Sequence, residues 1–549
     1  MKVIIIGGVA AGMSSATRLR RLDEKAEITV YEMGEHVSYA NCGLPYFVSD
    51  VISVRQNLLL QTPESLWNRF RLDVQVKHMV TKINRESKTV TVKNLISGQE
   101  IQDSYDKLVI ATGAKPRKLN IPGIERAMTL RDVHDADAVK AAAQNITNKT
   151  AVVLGAGFIG IELAENLRHL GFEVTLVQRG GSVLSQFDPE MIEPLQARLE
   201  KNGVRIMLET QAKEITTDEV ILTDGTKIPA GLVFSAAGVD PDNALARDAG
   251  LKIGETGGLW VDDHQRTSDK DIFAAGDAVE KNGELTGEQT LIPLANLANR
   301  HGRLIADVIA GQKTEAHPAL GTIIIGAFGY SAAITGLSER AAKKAGIKYE
   351  IIHLHPNNHA GYYPGSRRVS LKILFTPVTG KILGAQANGE DGVDKRIDVI
   401  ATAIFAGLHI NELMDLELAY APQFGSAKDA INMAGYVGNN VQSGITETLQ
   451  WHDLQEAVAN GAQLVDVRTD GEHNYQAIPG SVNIPVDEIR ERLSELNKDD
   501  VVVYCQVGQR GHVATQILRA NGIKVRNLDG GFLTWQHGNN ALNRSDAAH

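Results

Sequence analysis

Two cysteines occur in the chain, Cys42 and Cys505, and each stands in a short glycine-bearing segment of the kind that presents a reactive sulfur. Cys42 lies in Ser38-Tyr39-Ala40-Asn41-Cys42-Gly43-Leu44-Pro45. Cys505 opens the loop Cys505-Gln506-Val507-Gly508-Gln509-Arg510, directly after the apolar run Val501-Val502-Val503-Tyr504. A loop that leaves a strand end and closes near a helix start aims successive backbone N–H groups at one point, and such a nest stabilises thiolate and persulfide alike. Arg510 adds a fixed positive charge at the loop's far end. An isolated cysteine is more often a small buried hydrophobe than a nucleophile, so both sulfurs have to be judged by the elements around them.

Ahead of Cys42, the apolar run Lys2 to Ile6 predicts a strand that leads into Gly7-Gly8-Val9-Ala10-Ala11-Gly12 and a helix through Arg21. A second strand follows from Glu27 to Tyr31, ending at Glu32. This is a βαβ dinucleotide unit: the glycines let the backbone approach a pyrophosphate at the helix N-terminus, and an acid about 20 residues further on accepts hydrogen bonds from a ribose. Val9 replaces the middle glycine of the simple fingerprint. A cleaner unit runs from Ala151-Val152-Val153-Leu154 through Gly155-Ala156-Gly157-Phe158-Ile159-Gly160, a helix through Leu170 and a strand from Glu173 to Val177. Two such units in one chain suggest that one cofactor stays bound while the other brings hydride to it, a division that suits a flavin and a nicotinamide. The second unit ends Gln178-Arg179, without an acid for a free ribose hydroxyl and with an arginine suited to a 2′-phosphate, so both NADH and NADPH remain open.

Two further segments are Leu108-Val109-Ile110-Ala111-Thr112-Gly113-Ala114-Lys115-Pro116 and Asp271-Ile272-Phe273-Ala274-Ala275-Gly276-Asp277. Together with both fingerprints, in this order, they resemble the flavin-dependent pyridine nucleotide-disulfide oxidoreductase family over residues 1 to about 436. The resemblance implies an α/β chain with two Rossmann-like domains, one for FAD in two pieces (1–112 and 241–318) and one for NAD(P) (113–240), then an α+β dimerisation domain (319–436). It implies FAD contacts from Gly7, Gly8, Ala10, Ala11, Gly12, Glu32, Ala111, Thr112, Gly113, Gly276 and Asp277, the last beside the ribityl chain. Nicotinamide contacts would come from Gly155, Gly157, Gly160, Gln178 and Arg179.

Residues 437–448 are polar, small and aperiodic, and are expected to form a linker. From 449 to 549 the series Leu464-Val465-Asp466-Val467-Arg468, Ile478-Pro479-Gly480-Ser481-Val482-Asn483-Ile484-Pro485, the Cys505 loop and Leu528-Asp529-Gly530-Gly531-Phe532-Leu533-Thr534-Trp535 resembles a single α/β rhodanese domain. There the matching cysteine carries sulfane sulfur as Cys-S-SH, which implies that role for Cys505, with Arg510 beside it.

Disulfide reductases of the flavin family carry two cysteines separated by four residues; here Phe47 stands in the second position. A lone thiol closes no internal disulfide, so its oxidised form is a sulfenic acid or a mixed disulfide with an external thiol. The segment around Cys42 resembles the coenzyme A-disulfide reductase branch, which stores Cys-S-S-CoA. That branch implies coenzyme A contacts from Ser14, Arg18, Arg21, Ser38 and Asn41; Arg18 and Arg21 lie at i, i+3 spacing on one helix face. Arg69 or Arg71 stands where some relatives have a lysine, and Asn299 and Lys428 are further candidates. Tyr362 and Tyr420 match the tyrosines that the family draws from the partner subunit of a homodimer to protonate a leaving thiolate.

A formal net charge of −10 and a pI near 5.9 argue against a nucleic-acid or anionic-membrane partner. The apolar start is too short for a signal segment and no stretch has the length of a membrane span. Two cysteines in distant motifs suit available thiols in a reducing cytoplasm rather than a structural disulfide. His353, His355 and His359 cluster, but no cysteine or acid motif joins them, so no metal is expected and they are expected as exposed loop residues. The whole reads as an NAD(P)H-dependent FAD enzyme that reduces coenzyme A disulfide and coenzyme A persulfide or polysulfide at Cys42, with Cys505 supplying sulfane sulfur. The alternatives are an NAD(P)H oxidase or peroxidase that cycles through Cys42 sulfenic acid, and a redox-sensing sulfur-relay protein.

Overall fold

The strand Lys2–Ile6, buried over its last four residues, sits in the middle of a parallel sheet. Across that sheet the order is Ile272–Ala274, Lys107–Ile110, Lys2–Ile6, Glu27–Glu32 and Asp73–Val76. A parallel sheet needs apolar residues on both faces. Val3, Ile5, Val30 and Val109 pack on the side of the helices Ala10–Leu22 and Ala295–Ile309, while Ile4, Ile6, Tyr31 and Leu108 pack on the other. The second dinucleotide unit repeats the plan: Thr150–Leu154 lies between Glu173–Val177 and Leu232–Ser235, all parallel, and leads into the helix Phe158–His169. In the computed structural model, which describes residues 1–546, all these elements belong to one compact unit, residues 1–177 with 211–321.

The other unit comprises residues 178–210 and those from 322 onward. Its antiparallel sheet has the order Ile323–Ala327, Tyr330–Gly336, Ile382–Gly389, Val369–Phe375 and Glu350–Leu354, and it packs with the helices Pro189–Lys201 and Val393–Phe405. A parallel sheet follows in the order Thr448–Leu449, Val525–Leu528, Val501–Tyr504, Gln463–Asp466 and Val482–Asn483, flanked by the helices Gln509–Ala520 and Gly531–Asp546. The α/β class with two Rossmann-like domains, an α+β domain and a terminal α/β domain is therefore what the chain forms.

Two local expectations change. The helix Ala430–Gln442 runs into the segment read as a linker, so residues 437–442 are helical. The three histidines are buried, with His353 3% exposed and His355 and His359 7% each; His353 and His355 are covered by the terminal domain through Asp529 and Thr534, whereas His359 packs edge-on against the Tyr363 ring of its own segment.

Candidate active site

The first glycine cradle is set by close backbone approach. Gly7 has φ +103°, and a Cβ there would lie 2.3 Å from the Ala111 carbonyl oxygen; one on Gly12 would lie 1.9 Å from the Gly7 oxygen. Glu32 accepts hydrogen bonds from the backbone N–H of Gly8 and Gly34, each at 2.7 Å, which fixes its carboxylate at the end of the strand. Ala10 and Ala11 open the helix Ala10–Leu22. Thr112 donates to the Asp242 carbonyl at 2.7 Å, and Gly113 faces Arg131, whose guanidinium stands 3.6 Å from Asp277 just after Gly276. This backbone-lined cradle with a terminal acid fits FAD. In the second unit, Gly155 (φ +110°) and Gly160 are equally constrained, with would-be Cβ contacts of 2.4 Å to the Ala236 oxygen and 2.0 Å to the Gly155 oxygen, whereas Gly157 faces open space. Gln178 is half-buried and Arg179 exposed.

Cys42 lies in the short 3-10 turn Asn41–Gly43 and is exposed, held by backbone bonds Ser38 N to Gly8 O (2.9 Å) and Ala40 N to Leu58 O (2.8 Å). Ser38 adopts a left-handed backbone (φ +47°). Phe47, in place of a second thiol, is 4% exposed, and the Lys140 ammonium stands 4.0 Å from its ring centre. Partial burial and the nearby carboxylates of Glu162 and Asp277 push the Cys42 thiol pKa up. Burial lifts Glu162 to about 7; Tyr46, which donates a hydrogen bond to it, opposes that rise. Glu162 and Tyr46 escaped the sequence reading, though Glu162 stands only two residues after Gly160. Lys281 escaped it too: its ammonium donates to the carbonyls of Gly276 (2.9 Å) and Val279 (2.8 Å), and burial pulls its pKa down to about 8.

The residues expected to meet coenzyme A divide. Arg18 is bound to Asp307 at 2.7 Å, while Arg21 is exposed. Ser14 donates to Asn299 Oδ1 at 2.8 Å, which brings two of the candidates together, and Asn41 adjoins Cys42 in its turn. Arg69 is exposed; Arg71 caps the helix Pro63–Phe70 and lies over the Trp67 ring at 5.5 Å. Lys428 is exposed. Tyr362 and Tyr420, 77% and 49% exposed, place their hydroxyls 3.2 Å apart.

Cys505 is 1% exposed and belongs to the core beside Val465, Val503 and Ala514. Its loop reaches the helix Gln509–Ala520 through Gly508 at φ +95°. Arg510 makes a bidentate pair with Glu472, both bonds at 2.7 Å; first that pair and then the neighbouring Cys505 hold the arginine pKa up, and Glu472 itself is held near 2. Glu472 also accepts from Thr469 in a capping box, so the start of the helix Asp470–Tyr475 aims the carboxylate. Arg468, bound to Asp466 at 2.7 Å and to Gln506 at 3.1 Å, stacks 4.5 Å over Phe532.

A flavin-type cradle, a nicotinamide-type cradle and two separate thiols define an FAD-dependent oxidoreductase joined to a sulfur-handling domain. The chain belongs to the pyridine nucleotide-disulphide oxidoreductase family, whose pattern matches residues 1–302, with that family's dimerisation domain matching 325–430 and a rhodanese-like domain matching 450–537. A coenzyme A disulfide reductase of Staphylococcus epidermidis is 31% identical over 436 residues, 79% of this chain and 99% of that protein. Among solved structures, the reduced CoADR-RHD of Bacillus anthracis is 44% identical with a TM-score of 0.96, covering 98% of each chain. An NAD-dependent persulfide reductase from A. fulgidus is 36% identical with a TM-score of 0.91, covering 97% of this chain and all of that one. A water-forming NADH oxidase from Lactobacillus brevis covers less, 81% of this chain and 99% of that one, at 26% identity and a TM-score of 0.78. No helix among the described residues is long and apolar enough to cross a membrane.

Proposed function

We propose that the protein reduces coenzyme A disulfide and coenzyme A persulfide with electrons from NAD(P)H, through Cys42, and that Cys505 carries sulfane sulfur to the coenzyme A thiol. The observation that carries this reading is the lone exposed sulfur of Cys42 with the buried ring of Phe47 where a partner thiol would stand. Such a sulfur exchanges with an external substrate. The Cys42 thiolate attacks the carbon-bound sulfur of the persulfide; the S–S bond breaks, hydrosulfide leaves and Cys42-S-S-CoA forms. With coenzyme A disulfide the leaving group is the coenzyme A thiolate. FAD, when bound, supplies the electron pair that reopens the mixed disulfide.

The chain's own residues shape these steps. Asn41 adjoins Cys42 in its turn, with Ser38 four residues before the sulfur, and Arg21, Arg69 and Lys428 are exposed cations available to the coenzyme's phosphates. In a homodimer, the exposed hydroxyls of Tyr362 and Tyr420 supply a proton to the departing thiolate. The domain limits stated above, with an FAD domain in two pieces, form part of the same proposal, as does use of either nicotinamide, since Arg179 is exposed beside Gln178. The test is anaerobic NAD(P)H oxidation with coenzyme A disulfide, coenzyme A persulfide and inorganic polysulfide in parallel, against hydrogen peroxide without added thiol. Turnover of the coenzyme A substrates supports the proposal; turnover of peroxide alone would replace it with the sulfenic acid cycle.

A further inference from the structure

The terminal domain is joined to the antiparallel sheet by a buried charged bridge. His353, on the edge strand Glu350–Leu354, places Nδ1 2.7 Å from Asp529 Oδ2 and Nε2 3.2 Å from Glu190 Oε1, and its backbone N–H donates to Asp529 Oδ1 at 3.1 Å. The side chains of His353, Asp529 and Glu190 are 1%, 3% and 2% exposed. Ionised carboxylates only accept hydrogen bonds, so a ring with a carboxylate at each nitrogen carries both protons. Lys372, fully buried, anchors the far side, 2.5 Å from Glu190, 2.8 Å from Asp188 and 2.7 Å from Glu339. Three converging carboxylates would otherwise suit a cation; here the ammonium is that cation.

Asp529 is separated by two glycines from the backbone that closes the Cys505 loop. Phe532 N donates to the Cys505 carbonyl at 2.8 Å and Leu533 N to that of Gln506 at 3.1 Å. Gly531 lies so close that a Cβ would stand 2.3 Å from the Cys505 oxygen, and one on Gly530 would stand 2.7 Å from His353 Cβ. We propose that His353 is a positioning residue for Cys505: as a buried imidazolium between Asp529 and Glu190, it fixes the segment Asp529–Leu533 and through it the sulfur-carrying loop. This rests on the reading of Cys505 as a sulfane carrier.

The charge state follows from the surroundings. Burial alone lowers the imidazolium pKa, but Asp529 and then Glu190 overcome it and hold the group at about 9 against the opposing charge of Lys372. Behind it, burial keeps His355 and His537 neutral beside Arg368, and Glu350 faces Asp529 from the same strand as His353. A histidine near 6.5 in the unfolded chain and near 9 here gives a contribution fully present below pH 6.5 and lost as pH rises through 9.

The experiment uses the full-length holoenzyme with His353→Gln and, as a second variant from the other side of the bridge, Asp529→Asn. Inorganic polysulfide is the probe. Loading of Cys505 is followed by peptide mass mapping between pH 6 and 10, amide hydrogen exchange is read over residues 529–533, and reduction of coenzyme A disulfide reports the integrity of the Cys42 site. In the wild type, loading should turn down near pH 9 while coenzyme A disulfide reduction does not. Both variants should load about ten-fold more slowly at pH 7, lose that downturn and exchange faster at 529–533, with disulfide reduction within about two-fold. Equal loading at every pH with unchanged exchange would overturn the proposal. A wild type that takes no sulfur at Cys505 would overturn the reading of that cysteine instead, and hydrogen exchange would then decide the positioning claim alone.

Discussion

Cys42 and Cys505 are built in opposite ways. Cys42 is exposed on a short turn, with its thiol pKa raised by partial burial and by Glu162 and Asp277, and its segment is tied to the first glycine cradle by the bond from Ser38 N to Gly8 O. Cys505 is buried at a strand end, inside a hydrophobic core, with its loop held by main-chain bonds and with Arg510, fixed by Glu472, at the loop's far end. The difference matches the species each has to hold. A sulfur that exchanges with a large thiol cofactor has to be reached from outside. One that carries a reactive persulfide gains from shielding and from nearby positive charge.

The comparison breaks most sharply by substitution of the sulfurs. Cys42→Ser should lower NAD(P)H oxidation with every sulfur substrate by on the order of 10³-fold or more while the FAD absorbance stays with the protein. Cys505→Ser should leave coenzyme A disulfide reduction unchanged and lose only the activity that begins with sulfur loaded from polysulfide. Equal loss on all substrates in Cys505→Ser would make the two sulfurs one obligatory relay.

A smaller effect is expected from Glu472→Gln, which leaves Arg510 without its bidentate carboxylate. Because both partners are about a third exposed, 34% and 35%, solvent screens the pair, and loading of Cys505 should slow by about five-fold, equivalent to ~1 kcal/mol. Unaltered loading would show that the backbone of the loop suffices. The smallest effect concerns Glu162, which ionises near pH 7. Above that pH its charge opposes the Cys42 thiolate, so Glu162→Gln should move the iodoacetamide alkylation profile of Cys42 to lower pH, with no change at Cys505. An unmoved profile would remove Glu162 from the electrostatics of the site.

The dinucleotide units were legible in the sequence because backbone against backbone at Gly7, Gly12, Gly155 and Gly160 leaves no room for a side chain, and because Glu32 ends its strand at the required spacing. The strand and loop of Cys505 were legible for similar reasons. Partners far apart in the chain were not. Glu472 lies 38 residues from Arg510, and Asp529 lies 176 residues from His353, so no local pattern pairs them. His353 and His355 are expected at the surface because an edge strand ordinarily faces water, and it is Asp529 and Thr534 of the terminal domain, more than 170 residues on, that bury them. The basic pair Arg18 and Arg21 looked uniform on a helix face; Asp307, nearly 290 residues on, claims the first of them.

The most direct test of the division of labour is peptide mass mapping of the wild-type enzyme under anaerobic conditions, after reduction with NAD(P)H and a single addition of coenzyme A disulfide or polysulfide. The account predicts a coenzyme A adduct on the Cys42 peptide alone from the disulfide, and a persulfide on the Cys505 peptide from polysulfide. A coenzyme A adduct on Cys505, or a Cys42 that oxidises to sulfenic acid and never takes the coenzyme, would contradict it.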